Sequence, residues 1–507
     1  MNSESSYSPT AKRRWSSPMR REIGLVLGLF FLLILLFQSD FSFRYSSAVA
    51  GEWQYGYQPE QPVLYDAEGQ RIPSPATPLA TTSKSPAGMN DLTLRWTAGN
   101  PMPETTLLQH TWGFTVFDNL YAWNGTIYIV TSNATAFPEL REMTSTGYAV
   151  FNGKEEVAKR EPTDADMKVI TVAEAHRLLG GVASRVDGVS FMVNDPPQFI
   201  NHYYHFCAEF LVGMWRAYTS LDLGIKTSGT TKLPSPRRLI MTHTKEAEWR
   251  DYARMNQYVF HGAFPSASME HQEDWKDRAE TLKVWKFDRV VFTDRAAAMR
   301  THKFTDVERY AAPSFDLPGS RNFWEPLRAN VVEFAGANRT TGSGTMDTPV
   351  ITYVSRQGWG RRMLKPEDHE RLVNAMRKLE KDYGWEVNVV LMDKLTREEQ
   401  IRLCARTTIL MGVHGNGLTN LLWMNPTPRS AVMEFFYPQG FASDYEWTAN
   451  AVGLAYYGWW DSQRFTSEER PARNFPEGFQ GNEIPIDADA VAAMVVHQIN
   501  LNEEADD

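Results

Sequence analysis

Residues 408–420 read TILMGVHGNGLTN, an apolar run that continues into a glycine-bearing turn and a second apolar segment. We interpret the run as a buried strand and residues 418–423 as the start of a short helix. Gly415 and Gly417 permit positive φ angles and a close approach of the backbone to a ligand. Free N–H groups at the helix start then offer a seat for a phosphate, to which His414 could also donate. The alternative is a tight turn that requires glycine only for its own geometry.

Strands and helices alternate around this segment at a regular spacing. The apolar runs at 350–354, 387–392, 408–413, 431–436 and 454–457 are predicted strands, and residues 365–383 and 396–406 are predicted helices. Pro366 suits the first turn of one helix, and Thr396 with Glu399 forms a capping box at the start of the other. The alternation predicts an α/β fold in which a parallel sheet carries helices on its faces.

The preceding part of the chain, from about Leu92, has a less regular pattern. Strands are predicted at 126–131, 148–151, 182–193, 239–242 and 290–292. Residues 201–221 are a predicted helix, because large apolar side chains recur there about once per turn. A Gly/Ser/Thr-rich stretch at 337–348 is the predicted linker between this globular region and the regular one.

Two further groups of polar residues follow predicted strands of the regular region. Ser355, Arg356, Arg361 and Arg362 come after the strand at 350–354, where guanidinium groups beside the sheet edge suit a pyrophosphate. Glu434 lies near the end of a later strand, a position at which carboxylates hold ribose hydroxyls in nucleotide-binding sheets. The alternatives are solvated surface arginines and a simple surface ion pair of Glu434.

The segment 201–209, NHYYHFCAE, is the candidate source of a catalytic base. On a helix His202, His205 and Glu209 share one face, which suits a general base or a metal cluster. The spacing is not a specific metal signature, and capping or packing is the alternative for each residue. The Asp-x-Asp strings at 164–166 and 487–489 do not follow buried strands, and we interpret both as chance.

The composition excludes several classes of protein. Among 507 residues, 22% are charged and 42% hydrophobic, which is incompatible with a disordered chain or an all-membrane protein. The 61 acidic residues exceed the 52 basic ones, and this argues against a dedicated nucleic-acid binder. Two cysteines, Cys207 and Cys404, exclude a disulfide scaffold; they either pair with each other or remain buried thiols.

The N-terminus carries a predicted membrane anchor. Residues 23–37 are uncharged and apolar, and the interfacial residues that follow extend the predicted transmembrane helix to 23–43. A net charge of +3 over residues 1–22 keeps that tail cytosolic and sends the rest across the membrane. The Pro/Ser/Thr-rich residues 44–91 then form a stem. The alternative is a signal peptide cleaved after Ala48-Val49-Ala50.

Three sequons become meaningful in a translocated chain. They begin at Asn124, Asn133 and Asn338, and each is a predicted N-glycosylation site. Sequons also arise by chance, so their weight depends on the predicted topology.

Several of these motifs together resemble glycosyltransferase family 61. The resemblance covers Tyr353-Val-Ser-Arg356, Arg361-Arg362, Leu395-Thr396 with Glu399-Gln-Ile401, Gly412–Asn420 and Val432–Pro438. The family usually has HGAGLTN, whereas this chain has Asn416 in place of the alanine. Residues 201–209 are similar to a further family motif and to the His-Phe-Cys-Asp of the EGF-domain O-GlcNAc transferase. Ala208 replaces that Asp here, and Glu209 follows one position later.

The resemblance implies a GT-B architecture, in which two Rossmann-like domains face each other across a cleft. Residues 92–336 would form the acceptor-side domain, and residues 349–507 the nucleotide-sugar domain with a closing C-terminal helix. The implied donor-binding residues are Ser355, Arg356, Arg361, His414, Gly415, Asn416, Gly417, Leu418, Thr419 and Glu434. Glu209 is the first choice for the base, because a half-buried carboxylate can have a raised pKa, and His205 is the alternative.

The implied reaction is an inverting transfer of GlcNAc, xylose, arabinose or a similar sugar from a nucleotide sugar, usually UDP-linked, to a glycoprotein or polysaccharide. It needs no cofactor and no metal bound through Asp-x-Asp, although a divalent metal stays an open question. The predicted location is the Golgi or ER membrane, as a single-pass type II protein. Two alternatives remain: an NAD-binding oxidoreductase, suggested by Gly415-x-Gly417 with a later Glu434, and a non-catalytic sugar-binding scaffold on the same fold.

Overall fold

The computed structural model describes Gly88, residues 91–337 and residues 348–501. The predicted anchor at 23–43, the cytosolic tail, nearly all of the stem, most of the linker and the sequon at Asn338 lie outside these residues. Within the described part of the chain, no helix is both long enough and apolar enough to cross a bilayer. We call residues 91–337 the N-half and residues 348–501 the C-half, since each contributes one β-sheet.

The N-half is built on a mixed sheet of nine strands. They are β1 (Thr93–Arg95), β2 (Thr106–Thr111), β3 (Phe114–Trp123), β4 (Thr126–Val130), β5 (Met167–Ile170), β6 (Val182–Val193), β7 (Arg238–Met241), β8 (Ser268–Glu270) and β9 (Trp285–Thr293). The order is β5-β4-β3-β9-β6-β7-β8, with β1 on β6 and β2 on β3. Strands β9, β6, β7 and β8 run parallel. Since β7 and β9 lie on opposite sides of β6, the strand order reverses there.

Short helices cover this sheet. They are α1 (Leu140–Met143), α2 (Lys154–Ala158), α3 (Val172–Leu179), α4 (Pro197–Ile200), α5 (Val212–Thr219), α6 (Met255–Ala263), α7 (Gln272–Glu280), α8 (Arg295–Ala298), α9 (His302–Val307) and α10 (Glu325–Phe334). A π-helix, His205–Leu211, runs directly into α5. The predicted helix at 201–221 is therefore confirmed over most of its length, but its first two turns have the wider winding that recurs at functional sites.

The C-half contains the predicted parallel sheet. Its strands are β10 (Val350–Val354), β11 (Glu386–Val390), β12 (Ile409–Val413), β13 (Ala431–Phe435), β14 (Ala455–Trp460) and β15 (Gln463–Phe465). The order is β11-β10-β12-β13-β14-β15, and only β15 is antiparallel. Helices α11 (Pro366–Tyr383), α12 (Arg397–Ala405), α13 (Asp444–Ala451) and α14 (Ala488–Ile499) pack around it. The predicted capping box of Thr396 and Glu399 is confirmed at the start of α12.

One predicted strand, at 148–151, is wrong. The backbone there is extended but has no partner strand among the described residues. Instead the amide side chain of Gln198 bonds Val150 in both directions, accepting from its N–H at 2.7 Å and donating to its carbonyl at 3.0 Å. A short run of apolar residues resembles a strand locally, but here a side chain forms the hydrogen bonds of the Val150 backbone.

The two halves share one hydrophobic core. It includes Phe114 and Phe191 of the first sheet together with Leu418, Trp423 and Phe436 of the C-half. Hydrogen bonds cross the same boundary: the indole of Trp423 donates to the Tyr203 hydroxyl at 2.8 Å, and that hydroxyl donates to Asn420 Oδ1 at 3.1 Å. The indole of Trp324 donates to the carbonyl of Leu422 at 2.9 Å.

Both cysteines lie in this shared core as free thiols. Cys207 is on the π-helix and Cys404 on α12, and each is fully buried. Burial raises the pKa of the Cys404 thiol to about 12 and raises that of Cys207 as well. Of the two alternatives that the sequence left open, the structure therefore has the buried thiols, which are inert at neutral pH.

Candidate functional site

A cavity of about 450 Å³ lies between the two halves. On the C-half it is bounded by the loops that follow β10, β11 and β12, and on the N-half by residues 201–203 and 251–253. Strand β10 has β11 on one side and β12 on the other, so the order of the C-half sheet reverses at this point. Crevices at such reversals, beyond the carboxyl ends of the strands, are where open α/β sheets bind ligands.

Four of the predicted donor-binding residues line this cavity: Ser355, Arg356, Asn416 and Gly417. The others lie around it. Leu418 belongs to the shared core, and the Thr419 hydroxyl donates to Asn416 Oδ1 at 3.1 Å. Leu418 and Thr419 therefore stabilise the turn and do not line the cavity.

The glycine-bearing turn leaves room for the side chain of an arginine. A Cβ atom built on Gly415 would lie 2.3 Å from the Nη1 atom of Arg356, and one on Gly417 would lie 2.9 Å from the side chain of Val354. At both positions a side chain of the protein itself approaches the backbone closely, and the approach of a ligand stays a prediction. The expected positive φ is wrong, since Gly415 has a φ of 165°, an extended conformation open to any residue. Space, and not backbone strain, requires glycine here.

Three arginines converge beside this turn without a carboxylate partner. Among the residues that the structure describes, Arg356, Arg361 and Arg362 form no ion pair. Arg356 Nε donates to the carbonyl of Arg362 at 3.2 Å, and Arg362 Nη1 donates to that of His414 at 3.3 Å. Arg362 Nε is buried without a hydrogen-bond partner. Burial, and then the neighbouring Arg362 and Arg361, lower the pKa of Arg356 to about 10. Guanidinium groups gathered in this way are suited to bind an anion such as a diphosphate.

His414 and Glu434 form a buried pair outside the cavity. His414 Nδ1 lies 2.6 Å from one Glu434 oxygen, and the Tyr456 hydroxyl donates to the other at 2.7 Å. Burial raises the pKa of Glu434, although the contact with His414 opposes this. Both carboxylate oxygens of Glu434 already have partners in the protein, which differs from the exposed carboxylate expected of a ribose ligand. The carboxylate instead fixes the orientation of the His414 imidazole.

The predicted base candidates are joined in a dyad. His205 Nδ1 lies 2.7 Å from Glu209 Oε2, and the His205 side chain is 28% exposed whereas that of Glu209 is only 3% exposed. Arg295 Nη1 also donates to Glu209 Oε2, at 2.8 Å. Burial would raise the pKa of Glu209, but Arg295, His205 and Arg309 together hold it well below its usual range. The expectation of a raised pKa at Glu209 is therefore wrong.

The dyad belongs to a longer chain of buried charges. Arg295 also contacts Asp195 at 3.2 Å, and Arg309 contacts Asp444 of α13 at 2.9 Å. Burial raises the pKa of Asp195 to about 6 in spite of Arg295. Asp195 and Arg295 follow β6 and β9, the two strands beside the reversal in the N-half sheet. None of these four residues was predicted from the sequence, although the positions of Asp195 and Arg295 just after buried strands were a usable signal.

A sequence model of the family described as Glycosyltransferase 61 matches residues 203–432. This part of the chain is similar to glycosyltransferase family 61. The matched region begins within the segment that carries His205 and Glu209, includes Arg295, and ends in β13, two residues before Glu434. No curated protein matches the chain. This similarity indicates a glycosyltransferase and argues against the oxidoreductase alternative.

The family 61 region shows no built metal centre. In residues 91–337 and 348–501, no three His, Cys, Asp or Glu side chains are grouped so as to hold a metal ion. Aspartates of both Asp-x-Asp strings have local structural contacts. Asp166 accepts from the N–H of Thr163 at 2.7 Å, and Asp487 caps the first turn of α14.

Proposed function

We propose that this protein is an inverting glycosyltransferase of GT-B type that uses a UDP-linked sugar as donor. The main observation behind the proposal is the group of arginines without ion-pair partners at the strand reversal of the C-half. They lie next to a turn in which Gly415 has no side chain and so leaves room for Arg356. Guanidinium groups and free N–H groups stabilise the diphosphate that leaves. The sugar is GlcNAc, xylose or a similar residue, and the acceptor is a glycoprotein or polysaccharide.

The GT-B proposal is supported by the arrangement of the two sheets. Each sheet has parallel strands whose order reverses once, at β6 in the N-half and at β10 in the C-half. The cavity between the halves has the C-half arginine Arg356 on one side and Asn201 and His202, close to the dyad, on the other. Such a division assigns the donor to the C-half and the acceptor to the N-half.

In the proposed step the acceptor hydroxyl oxygen attacks the anomeric carbon from the face opposite the diphosphate. The new C–O bond forms as the bond from the anomeric carbon to the diphosphate oxygen breaks, so the configuration inverts. The electron pair of the broken bond remains on the diphosphate, beside Arg356 and Arg362. The hydroxyl proton passes to a base on the N-half.

His205 is the better base of the two candidates. Glu209 stays ionised, because its pKa is low, and can therefore only accept hydrogen bonds. It accepts from Nδ1 of His205, which leaves the lone pair of a neutral imidazole on Nε2. His205 is also the more exposed partner. We therefore assign proton removal to His205 and its orientation to Glu209.

The function is tested by thermal denaturation of the purified chain with UDP, GDP and their sugars, followed by an assay for transfer and donor hydrolysis. Binding to the folded state raises the melting temperature. A shift with one nucleotide sugar and with its nucleoside diphosphate supports the proposal. A shift without transfer or hydrolysis would instead favour the non-catalytic scaffold, and no shift with any nucleotide would contradict both.

Replacing Arg356 with alanine is expected to weaken donor binding by roughly 10- to 150-fold. The variant loses a charged hydrogen bond to the diphosphate, worth about 1.5–3 kcal/mol. Calorimetric titration with UDP measures the effect. Exposed Arg177 of α3 supplies the matched control, Arg177→Ala, which should bind UDP like the wild type. Equal affinities in all three proteins would contradict the arginine site.

We further propose that the chain is a type II protein of the Golgi or ER membrane, anchored by residues 23–43 with its catalytic part in the lumen. Asn124 and Asn133 are both exposed, and the Thr135 hydroxyl of the second sequon donates to Asn133 Oδ1 at 2.8 Å. Such side chains are accessible to a glycan.

Treatment with peptide-N-glycosidase is expected to increase the gel mobility of the protein expressed in a eukaryotic cell. The variants Asn124→Gln and Asn133→Gln should each lack one glycan, so that peptide-N-glycosidase changes their gel mobility by less than it changes that of the wild type. An unchanged mobility, together with digestion of the catalytic part by protease added from the cytosolic side, would show that the proposed topology is wrong.

A further inference from the structure

Two exposed aromatic side chains meet at the cavity between the halves. Tyr252 is 95% exposed and Trp359 is 50% exposed, and both line this cavity together with Leu391. Tyr252 belongs to the N-half and Trp359 to the C-half. Aromatic side chains in solvent cost hydration free energy, and grouped around one opening they mark a binding surface.

The backbone holds each ring at the opening. Trp359 lies between Gly358 and Gly360, whose φ angles of 87° and 89° are in the left-handed region and around which there is open space. The guanidinium of Arg356 lies 5.8 Å from the Trp359 ring, which places this ring next to the anion site.

Tyr252 is carried on a turn that its neighbour stabilises. The carboxylate of Asp251 accepts from the N–H groups of Ala253 at 3.1 Å and Asn256 at 2.8 Å. The turn therefore positions residue 252 at the opening of the cavity.

We propose that Tyr252 and Trp359 hold the ring of an acceptor that is itself a carbohydrate, so that the enzyme extends a glycan and does not modify an unglycosylated Ser or Thr. The inference rests on the proposed function. A pyranose has C–H bonds on its faces and hydroxyl groups at its edge, and it therefore packs its faces on aromatic rings. Asn201, Asp393 and Lys394 line the same cavity and offer partners for the hydroxyl groups.

The position of the rings favours the acceptor over the nucleobase. A nucleobase bound to the C-half would be held by that half alone, whereas these rings come from both halves. Tyr252 comes from the same half as the His205–Glu209 dyad, and the acceptor hydroxyl has to reach that dyad. A sugar ring held by these two side chains would therefore lie between the halves, where the proposed transfer takes place.

The test compares the full chain with Tyr252→Ala, Trp359→Ala and Trp359→Phe. Calorimetry with UDP measures the donor site, and saturation-transfer NMR with xylotetraose, mannotriose, lactose and chitotriose measures the acceptor site. Each alanine variant should lose roughly tenfold or more in affinity for the oligosaccharide that binds, with UDP affinity unchanged in Tyr252→Ala and changed less than the oligosaccharide affinity in Trp359→Ala. Trp359→Phe should retain most of the oligosaccharide affinity. Tyr383→Ala is the matched control, since Tyr383 is 51% exposed but outside the cavity.

Two results would overturn the inference. One is a wild-type protein that binds UDP but none of the oligosaccharides, or that modifies an unglycosylated Ser/Thr peptide equally well. The other is a Trp359→Ala variant that loses UDP affinity and keeps its oligosaccharide affinity, which would place a nucleobase on the indole. A wild-type protein that binds no nucleotide at all is a distinct result and contradicts the proposed function itself.

Discussion

Replacing His205 with alanine is expected to lower the rate of sugar transfer by roughly 10²- to 10⁴-fold, the usual effect of losing a positioned base. Binding of UDP should be unchanged, because His205 lies on the N-half and the arginine cluster on the C-half. Initial rates of transfer at saturating donor, with calorimetric titration of UDP, measure both quantities. His176→Ala, on the exposed side of α3, is the matched control and should retain full activity.

The companion variant Glu209→Gln separates the two members of the dyad. An amide can still accept the hydrogen bond from His205 Nδ1, but it no longer stabilises a protonated imidazole. We expect a smaller loss of transfer than in His205→Ala. Full activity of His205→Ala with strongly reduced activity of Glu209→Gln would show that the carboxylate is the base and that our assignment is reversed.

Replacing Arg295 with methionine is expected to lower the free energy of unfolding by about 3–5 kcal/mol, the usual effect of breaking a buried ion pair. Arg295 is 4% exposed and pairs with both Glu209 and Asp195, so the variant buries two carboxylates without their partner. Denaturant unfolding followed by tryptophan fluorescence measures this change. The control is Arg289→Met, since Arg289 and Asp118 form a half-exposed pair worth less than about 1 kcal/mol. Similar losses in both variants would contradict the buried network.

The destabilisation by Arg295→Met should shrink in acid. The folded-state pKa of Glu209 lies below its ordinary value of 4.5, so its contribution is fully present above that pH and is lost as the pH falls through the folded-state pKa. Protonated carboxyl groups at Glu209 and Asp195 no longer require an arginine. A difference between wild type and variant that stays constant as the pH falls from about 5 to about 2 would contradict the charge-pair explanation.

The sheet of the C-half was predictable because its strands are buried on both faces and its helices have marked ends. Residues 350–354 and 409–413 are continuous apolar runs, and Thr396 with Glu399 fixes the start of α12. The N-half has no such regularity. Strand β3 was missed because its buried and half-buried positions do not alternate, and the π-helix at 205–211 has a winding that local periodicity does not encode.

For the candidate site, the sequence predicted the positions of important residues more accurately than it predicted their roles. Gly415 was identified as a place of close approach, but the occupant of that space, Arg356, is 59 residues earlier in the chain. Glu209 and Glu434 have functions that depend on distant partners, Arg295 in one case and Tyr456 in the other. The direction of a pKa shift depends on such neighbours, so it could not be obtained from burial alone.

The hydrogen bonds that cross the shared core limit how enzymes of this kind can be recombined. The indoles of Trp423 and Trp324 each donate to an acceptor on the opposite half, Tyr203 in one case and Leu422 in the other. Any residue at position 422 supplies the backbone carbonyl that Trp324 needs, but only a suitable side chain at position 203 accepts from Trp423. A chimera that pairs Trp423 with an apolar residue at position 203 would leave the indole N–H unsatisfied in an apolar interior, at about 1–3 kcal/mol. An exchange of one half therefore has to keep this pair of residues matched.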